Sequence, residues 1–476
     1  MNTGTAGSNY DDLVQYFDGL AGQRDRWVSK NAYYHQQLAA ALAFSIARDK
    51  LVLEIGSGVG QLLNALQPRR GVGVDLSPNM VRIAQQQYPQ LEFLVGNVEQ
   101  LELNETFDYI VLSDLIGFLC DVQHGFENLQ RVCTPQTRVV ISYHNVLWEP
   151  ILRLGEFCGW KARQPVQNWL SPADIQNLLE LAGFEVIRSN TRLLMPKSVP
   201  LLSTFCNRLL VNIPLLRRFG LVHILVARPK PGPQPRNYSC SVVIPARNEK
   251  GNIEAAVLRT PALGTHTELI FVEGNSNDGT AEEIQRVIAK YPERSIKLIA
   301  QGPGRGKGDA VRKGFAAATG DILMILDADL TVAPEELPKF YNALVSGTGE
   351  FIHGSRLVYP MEREAMRFLN ILGNKFFSMA FTYLLEQRFK DTLCGTKVLW
   401  RTDYARIAAN RSYFGDFDPF GDFDLIFGAA KLNLKIVEIP IHYRERTYGT
   451  TNISRFRHGL LLLRMTWYAM RKLKFV

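Results

Sequence analysis

Residues 50–60 read KLVLEIGSGVG, a short apolar stretch that runs directly into a glycine-rich turn. The glycines at 56, 58 and 60 allow the backbone to turn tightly and to approach a ligand closely. A helical pattern, QLLNAL, follows at 61–66, which places the free N–H groups of a helix N-terminus behind the turn. The stretch therefore predicts a strand, a ligand-binding turn and a helix, the opening unit of an α/β sheet.

The residues around this stretch repeat the alternation of apolar strand-length runs with helical patterns. Further strands are predicted in the first half at 71–75, 91–97, 107–112, 138–143 and 222–227. Such alternation is typical of βαβ units and parallel sheets, with 222–227 as an antiparallel last strand. The stretch RPKPGPQPRN at 228–237 has four prolines and predicts a stiff linker. We therefore expect two doubly wound α/β domains, at 1–229 and 238–476, joined by a proline-rich linker at 230–237.

The first half has the motifs of a cofactor-binding sheet. The pattern E-x-G-x-G-x-G at 54–60 resembles the first motif of class I S-adenosylmethionine-dependent methyltransferases; a dinucleotide-binding pattern would need glycine where Gln61 stands. Asp75 ends the second predicted strand, where a carboxylate can accept hydrogen bonds from both ribose hydroxyls. Ser77 and Pro78 have the residue types of a helix N-cap and first helical position. The resemblance covers 30–229 and implies a Rossmann-like sheet with S-adenosylmethionine as cofactor. It places seven residues at that cofactor: Glu54, Gly56, Gly58, Gly60, Asp75, Asn97 and Ser113.

The methyl acceptor is not identified by the residues, because methyl transfer depends more on alignment than on acid–base chemistry. Tyr143 and His144 follow the fifth predicted strand, and a base there would suit a hydroxyl acceptor. A histidine at such a position is also a common structural residue, and both interpretations stay open. The apolar segment 193–219 reads either as a substrate lid or as packing.

In the second half, a buried strand predicted at 322–326 delivers Asp327 and Asp329 with one residue between them. Two carboxylates held close together raise each other's pKa, and a bound divalent cation removes this cost. Such a cation would bridge the phosphates of a nucleotide-sugar and carry the charge of the leaving group. A lone D-x-D pair also occurs in surface turns, so the surrounding segments decide between these interpretations.

Eight ordered segments of the second half resemble glycosyltransferase family 2, which has the GT-A fold, and most closely its polyprenyl-phosphate (dolichol-phosphate) sugar synthases. They are VVIPARNE at 242–249, EGNSNDGT at 273–280, GKGDAVRKG at 306–314, DADL at 327–330, GSR at 354–356, DTLCGTK at 391–397, FGDFDLIFGAA at 420–430 and EIPIHYRERTYG at 438–449. The resemblance implies inverting, single-displacement transfer of a sugar from a nucleotide-sugar, with Mg2+ or Mn2+ held by Asp327 and Asp329.

The same resemblance implies roles for single residues. The residues implied to bind the nucleotide-sugar are Pro245, Glu249, Asp278, Lys307, Asp327, Arg356 and Arg446. The residues implied in catalysis are Asp329, Asp391, Asp422 and Asp424, the last three near the acceptor, where one could be a base. Three positions depart from the family pattern: Gly274 replaces an acid, Thr331 a glutamine and Asn452 a lysine. GDP-, UDP- and dTDP-sugars therefore stay open as donors, and a lipid phosphate or a glycan as acceptor.

The net charge of +8 lies wholly in the second half, since residues 1–229 hold 20 basic and 20 acidic residues and residues 230–476 hold 34 and 26. Six of these basic residues, and no acid, lie between Arg455 and Val476. Interleaved with large apolar residues, they predict a basic amphipathic C-terminal helix that attracts anionic lipid, or else a helix with a solvated basic face. The segment 366–387 reads equally well as a membrane-surface helix and as a core helix or dimer face.

No uncharged apolar run approaches the roughly 20 residues of a membrane-spanning helix. The six cysteines are scattered without a C-x-x-C pair, which favours a reducing cytosol over a disulfide or zinc framework. We expect a cytoplasmic protein that is peripheral on the inner face of the cell membrane. Since no nucleic-acid motif is present, we expect no nucleic-acid partner.

Taken together, these patterns predict a bifunctional enzyme of bacterial glycan or glycolipid biosynthesis, that is, of polysaccharide biosynthesis in the broad sense. A metal-dependent glycosyltransferase would be joined to an S-adenosylmethionine-dependent methyltransferase. In the alternative, only the glycosyltransferase is active and the first domain is a binding or scaffold module. The sugar, both acceptors and the oligomeric state are left open.

Overall fold

The computed structural model describes residues 6–232, 237–304, 306–359, 368–411, 422–446, 448 and 455–474. The chain divides into two compact units, Met1–Lys230 and Pro231–Val476. The predicted linker at 230–237 thus lies at the boundary between them, and part of it lies outside the described residues.

The first unit is built on a seven-stranded sheet. Its strands are β1 (Leu51–Ile55), β2 (Arg70–Asp75), β3 (Glu92–Val95), β4 (Phe107–Ser113), β5 (Cys133–His144), β6 (Phe184–Arg192) and β7 (Val222–Pro229). They lie in the order β3-β2-β1-β4-β5-β7-β6, and β7 runs antiparallel to both of its neighbours, as predicted. The strand order reverses between β1 and β4, and ligands of such sheets bind at the carboxyl ends of the strands at this switch point.

Helices cover both faces of this sheet. They are α1 (Ala6–Ala21), α2 (Arg24–Lys30), α3 (Ala32–Ser45), α4 (Gln61–Leu66), α5 (Pro78–Gln87), α6 (Val122–Leu129), α7 (Glu149–Phe157), α8 (Pro172–Leu181), α9 (Leu202–Arg208) and α10 (Pro214–Arg217). Successive strand residues point to opposite faces. In β1, Leu53 packs in the core beneath α6 and α8, whereas Val52 packs in the core beneath α3 and α4.

The second unit contains another seven-stranded sheet. Its strands are β8 (Cys240–Ala246), β9 (Thr267–Glu273), β10 (Ser295–Ala300), β11 (Ile322–Ile325), β12 (Phe351–Ser355), β13 (Lys397–Trp400) and β14 (Ile436–Pro440). The order is β10-β9-β8-β11-β13-β12-β14, so this sheet reverses its order between β8 and β11. The helices are α11 (Ile253–Arg259), α12 (Thr280–Lys290), α13 (Gly306–Ala317), α14 (Leu337–Val345), α15 (Phe368–Leu385), α16 (Arg401–Ala409), α17 (Asp422–Lys431) and α18 (Arg455–Leu473). Both units are α/β, which confirms the predicted fold class.

The expectation of a parallel sheet is wrong at β13, which runs antiparallel to β11 and β12. The preceding loop explains the reversal. Thr396 accepts a hydrogen bond from the Gly354 N–H at 3.1 Å, so this loop lies beside the carboxyl end of β12. The chain therefore enters β13 from the edge at which the parallel strands leave the sheet.

The helices α15 and α18 contact each other. In α18, Leu462, Met465 and Ala469 are buried, whereas Leu460, Leu463 and Trp467 are exposed. Among the described helices, none is both long enough and apolar enough to cross a membrane.

Candidate functional site

The turn between β1 and α4 depends on its glycines. Gly56, Gly58 and Gly60 have φ values of 74°, 54° and 80°, a region that side chains disfavour. A Cβ atom on Gly60 would lie 2.5 Å from the ring of Phe93, whereas a Cβ on Gly58 would meet open space. Gly60 is thus required for packing, and Gly58 lies where a ligand can approach the backbone.

Asp75, at the end of β2, fastens this turn. Its carboxylate accepts the N–H groups of Gly58 at 2.7 Å and of Ser77 at 2.9 Å. Burial raises the pKa of Asp75, and these two hydrogen bonds oppose the shift. Each oxygen retains a lone pair that a ribose hydroxyl can use.

Glu54, next to the glycine turn, is buried, and one of its carboxylate oxygens has no hydrogen-bond partner. Burial raises the pKa of Glu54 well above its usual range. A buried polar atom without a partner is costly and is commonly satisfied by a bound group. The open approach at Gly58 and this unsatisfied carboxyl group fit a ligand such as S-adenosylmethionine.

The other two predicted cofactor residues follow β3 and β4. The side chain of Asn97 accepts the Glu99 N–H at 2.9 Å and caps a short turn of helix, and Ser113 lies 3.1 Å from Ser142 between their hydroxyl oxygens. The strands β1 to β4 are parallel, so all seven predicted residues lie at the same edge of the sheet.

Beside this edge lies a cluster of Tyr34, Asp114 and His144. The hydroxyl of Tyr34 donates to Asp114 Oδ2 at 2.5 Å and lies 3.1 Å from His144 Nε2. Since the single proton of Tyr34 points to Asp114, Nε2 of His144 carries the proton in this bond and Nδ1 is left as the acceptor. Burial lowers the pKa of His144, so the imidazole is neutral near pH 7. Sequence reasoning missed Tyr34 because α3 contains no motif.

A pocket opens at this cluster. It is lined by Asp114, Tyr143, His144, Gln167, Asn168 and Trp169, among others. The hydroxyl of Tyr143 is buried and has no hydrogen-bond partner. The pocket therefore offers polar groups, an aromatic wall and a neutral imidazole next to the edge that carries the predicted cofactor residues.

The N-terminal helices α1 and α2 fasten to the same edge, which the sequence did not indicate. Asp18 of α1 accepts hydrogen bonds from the Ser77 hydroxyl and, at 3.0 Å, from the Asn79 N–H. Asp25 of α2 accepts from the side chains of Gln61 at 2.9 Å and Gln87 at 3.0 Å. Helix α1 thus binds the start of α5, and α2 binds the start of α4 and the end of α5. These are the helices that follow the two predicted cofactor turns.

In the second unit, Asp327 and Asp329 follow β11 at the switch point. Asp327 forms an ion pair with Lys307 at 2.5 Å. Burial on its own would raise the pKa of Asp327, but the positive charge of Lys307 holds it below the usual value. Asp329 accepts the N–H of Thr331 at 3.1 Å and its hydroxyl at 2.9 Å. Thr331, where the family has a glutamine, therefore orients Asp329.

Arg446 joins the D-x-D segment to the loop after β8. Its two terminal nitrogens lie 3.1 Å from Glu249 and 2.7 Å from Asp329. Burial raises the pKa of Glu249, and the charge of Arg446 opposes this shift. Asp278 accepts the N–H groups of Lys250 at 3.2 Å and Thr280 at 3.0 Å. Arg446 thus links Glu249 to Asp329, and Asp278 binds Lys250, the residue that follows Glu249.

The predicted phosphate contact Arg356 and the predicted catalytic residue Asp391 bind each other. Arg356 donates to both carboxylate oxygens of Asp391, at 2.7 and 2.8 Å, and Asp391 is fully buried. Burial acts to raise the pKa of Asp391, but Arg356 lowers it well below the usual range. A carboxylate with these partners is a poor base, and this corrects the expectation that Asp391 could serve as one.

The remaining candidates near the acceptor are Asp422 and Asp424. Asp424 forms an ion pair with Arg411 at 2.7 Å and is mostly buried. The side chain of Asp422 lies outside the described residues. Pro245 lies within β8, one residue before its end.

Within the described residues, no group of three or more histidine, cysteine or acidic side chains could hold a metal. Asp327 and Asp329 nevertheless fit a magnesium-type ion, because such ions bind through one or two carboxylates together with phosphate oxygens of the substrate. In the structure, the ammonium group of Lys307 supplies a positive charge beside Asp327.

Comparisons with known proteins give a match in each half of the chain. A model of glycosyl transferase family 2 matches residues 241–402, and a model of a methyltransferase domain matches residues 27–189. Each family model matches the half of the chain in which the motifs of that family were found. This confirms the predicted fusion of a methyltransferase domain with a family 2 glycosyltransferase domain.

Curated proteins similar to this chain include two dolichol-phosphate mannosyltransferases. The chain is 38% identical over 218 residues to a dolichol-phosphate mannosyltransferase of Pyrococcus furiosus, covering 45% of this chain and 59% of the relative. It is 38% identical over 109 residues to that of Saccharomyces cerevisiae, covering 22% of this chain and 40% of the relative. The chain therefore spans less than two thirds of the length of these relatives.

Solved structures of methyltransferases are similar to slightly less than half of the chain. A methyltransferase of Thermotoga maritima is 16% identical with a TM-score of 0.37, and the match covers 46% of this chain and 100% of that one. The magnesium protoporphyrin IX methyltransferase of Synechocystis, with bound S-adenosylhomocysteine, is 19% identical with a TM-score of 0.34, covering 46% and 99%.

Proposed function

We propose that this chain, in which a methyltransferase domain precedes a glycosyl transferase family 2 domain, is a bifunctional enzyme of bacterial glycan or glycolipid biosynthesis. The second unit transfers a sugar from a nucleotide-sugar with inversion, and the first methylates a hydroxyl group with S-adenosylmethionine. The observation that carries the proposal is that Glu249 and Asp329 meet through Arg446 at the switch point of the second sheet.

In the second unit, Asp327 and Asp329 would hold Mg2+ or Mn2+, which when bound supplies positive charge to the diphosphate leaving group. Thr331 and Arg446 orient Asp329, and Lys307 adds a second cation beside Asp327. Charge at these positions stabilises the negative charge that develops as the sugar leaves.

The acceptor is best explained as a lipid phosphate. A hydroxyl acceptor would need a base, yet the two candidate carboxylates whose side chains the structure describes are both paired, Asp391 with Arg356 and Asp424 with Arg411. A phosphate monoester is already an anionic nucleophile and needs none. The curated relatives support this choice, since their names include dolichol-phosphate and undecaprenyl-phosphate transferases.

Replacement of Asp329 tests the glycosyltransferase. We expect Asp329→Asn to lower kcat by about 10²-fold or more, because it weakens the stabilisation of the leaving group. The control is Asp321→Asn, at an exposed aspartate that binds only Ser239 among the described side chains. Rates would be measured with a panel of GDP-, UDP- and dTDP-sugars, with Mn2+ and with chelator. Native turnover by Asp329→Asn in chelator would contradict the metal-assisted mechanism.

In the first unit, the geometry supports methylation of a hydroxyl. S-adenosylmethionine, when bound, would supply the methyl group to the acceptor oxygen and leave as S-adenosylhomocysteine. Nδ1 of His144 would accept the proton that this hydroxyl gives up. Tyr34 and Asp114 hold the imidazole in the required tautomer through Nε2. Because the pKa of His144 is lowered, the base form persists to lower pH than for an ordinary histidine.

Substitution of His144 tests this role. General bases contribute about 10²- to 10⁴-fold, so His144→Gln should lower the rate of methyl transfer by that factor and leave the affinity for S-adenosylmethionine unchanged. His124→Gln, at an exposed histidine of α6, is the matched control. Equal rates for both variants would contradict the assignment.

Titration calorimetry with S-adenosylmethionine separates this proposal from its alternative. We expect heat of binding for the native chain and weaker binding for Asp75→Asn. Absence of binding heat and of methyl transfer would instead support a scaffold role for the first unit.

We place the second unit at a membrane surface through α18. Its exposed side chains Leu460, Leu463 and Trp467 follow the i, i+3, i+7 spacing of one helix face, and Arg464 and Arg471 are exposed beside them. Interfacial helices combine such an apolar stripe with basic residues. A flotation assay with anionic vesicles tests this, and unchanged association of Trp467→Glu would count against it.

A further inference from the structure

Helix α7 of the first unit has its apolar side turned to solvent. Ile151 and Leu154 of α7 are 54% and 57% exposed, and Phe157 at the end of the helix is 80% exposed. Leu147, in the turn that precedes α7, is 55% exposed. No residue of α7 is buried. A surface helix normally packs its apolar stripe against the core.

The segment around α9 and α10 has the same property. Leu202, Phe205 and Leu209 are spaced along one helix face and are about half exposed, and Leu201 and Leu215 are 88% and 66% exposed. The sequence left this segment open as a lid or as packing, and in the structure these side chains keep about half or more of their surface exposed.

Hydrogen bonds hold the two elements together as one surface. The indole N–H of Trp148 donates to the carbonyl of Phe219 at 2.7 Å, which joins the start of α7 to the residues after α10. At the other end, Asn31 bonds to the carbonyl of Trp160 at 3.4 Å and accepts from Lys197 at 2.7 Å. The residues that flank α7 are thus tied to the segment that carries α9 and α10, and we call the exposed apolar side chains of these three helices and of the residues next to them the apolar face.

The charges around the apolar face are positive. Residues 193–220 contain four basic residues and no acid. Arg208 and Arg218 are exposed and form no ion pair with any described residue. In α7, Glu149 is paired with Arg153, so it does not offset this charge.

We propose that the apolar face docks the first unit on a membrane that contains anionic lipid. Clusters of exposed large apolar side chains mark interaction surfaces. An apolar stripe with basic flanks and few free acids matches the boundary between acyl chains and anionic headgroups. The proposal concerns α7, α9 and α10 and is independent of α18.

Docking would bring the acceptor pocket to the lipid surface. Gln167, Asn168 and Trp169, which line the pocket, directly follow the exposed Val166 in the sequence. A lipid-borne hydroxyl acceptor could then enter from the membrane. This last step rests on the proposed methyltransferase activity, whereas docking itself does not.

A fluorophore at the apolar face tests docking in the full chain. Cys158 is exposed at the end of α7, and the other exposed cysteine, Cys120, would be replaced by serine. An environment-sensitive dye on Cys158 should shift to shorter emission wavelength with vesicles of phosphatidylcholine and phosphatidylglycerol. The shift should be weaker with phosphatidylcholine alone. Because the dye reports its own surroundings, binding through α18 alone would leave its emission unchanged.

Matched substitutions complete the test. Leu215→Glu should weaken the dye response to vesicles by roughly tenfold or more, the value of one large apolar side chain, and Arg208→Gln by about fivefold with anionic vesicles only. Leu181→Glu replaces a leucine of α8 with 58% exposure outside the apolar face and should have no effect. Circular dichroism would show that all variants are folded.

Three results would overturn the proposal. The first is no emission shift with anionic vesicles, and the second is an equal effect of Leu215→Glu and Leu181→Glu. The third is a dye that is already in an apolar environment without vesicles, which would mean that protein covers the apolar face. Vesicle binding is measured without S-adenosylmethionine, so its failure is distinguishable from failure of methyl transfer.

Discussion

At the scale of single residues, Arg356 and Asp391 show how two predicted site residues can stabilise the loops that carry them. The guanidinium binds both oxygens of the carboxylate, and Asn374 donates to the same carboxylate at 2.9 Å. Arg356 also lies over the ring of Tyr443, 5.1 Å from its centroid. Since the pair is buried, its main effect is to hold the loops that end β12 and precede β13 in one arrangement.

Removal of one partner of this pair should be costly. Asp391→Ala leaves the guanidinium of Arg356 buried without its anion, and breaking a buried pair in this way costs about 3–5 kcal/mol. Glu335→Ala removes the exposed partner of Arg259 and should cost about 0–1 kcal/mol. Urea unfolding of the second unit measures both changes. Similar losses for the two variants would show that Asp391 adds little to stability.

His353 should make the second unit sensitive to acid. Burial lowers the pKa of His353 to about 3, against roughly 6.5 in an unfolded chain. Between these values the unfolded chain binds a proton that the folded chain does not, so stability falls as the pH falls below about 6.5. The loss attributable to His353 is about 2 kcal/mol at pH 5.

The His353→Gln variant isolates this contribution. Its free energy of unfolding should depend less on pH between pH 7 and pH 5 than that of the native chain. The matched control is His266→Gln, at an exposed histidine, which should keep the native pH dependence. If His353→Gln also keeps it, the acid sensitivity has another origin.

At the scale of elements, the cap of α5 links helix stability to the predicted cofactor site. The Ser77 hydroxyl accepts the Met80 N–H at 3.1 Å and donates to Asp18 of α1, and the Ser77 backbone binds Asp75. One residue thus joins the end of β2, the start of α5 and the N-terminal helix.

Two cap variants separate these roles. Ser77→Ala and Ser171→Ala each remove an N-cap hydroxyl, of α5 and α8 respectively, and each should cost about 0.5–2 kcal/mol. Only Ser77→Ala should also weaken binding of S-adenosylmethionine, because it loosens α1 beside Asp75. Calorimetry and thermal unfolding give the two quantities. Equal affinities for the two variants would place Ser77 outside the cofactor site.

Elements that end in a motif were predictable, and others were not. β1, β2 and β11 were each predicted within two residues of either end, because an apolar run meets glycine or acid there. β10 was missed because it lies at the edge of the sheet and is only partly buried, so its sequence SIKLIA shows no distinct core face. The antiparallel placement of β13 depends on the path of the loop before it, which no local pattern encodes.

The candidate sites were predictable in their residues but not in their pairings. The motifs identified Arg446, Glu249 and Asp329, yet Arg446 and Glu249 are 197 positions apart and nothing local indicates their contact. Tyr34 and His144 are 110 positions apart, and Tyr34 lies in no motif. For Arg356 and Asp391 the missing pairing changed the interpretation, since a carboxylate bound by a buried arginine is no longer a free base.

At the scale of the whole molecule, the two sites belong to separate units. The boundary falls between Lys230 and Pro231, within the proline-rich stretch. Each unit has its own sheet and its own core. The net charge differs as well, since residues 1–229 are neutral and residues 230–476 carry the excess of basic residues. Separate cores of this kind can unfold separately, and a ligand then stabilises only the unit that binds it.

We therefore expect two thermal transitions that respond to different ligands. S-adenosylmethionine at 100 times its Kd should add about 2.7 kcal/mol to the unfolding free energy of the first unit and nothing to that of the second. The correct nucleotide-sugar with Mn2+ should do the reverse. Differential scanning calorimetry measures both, and Asp75→Asn and Asp329→Asn should each abolish only the shift of their own unit. A single transition that moves with either ligand would show that the two units unfold together. The two units would then not be independent folding units.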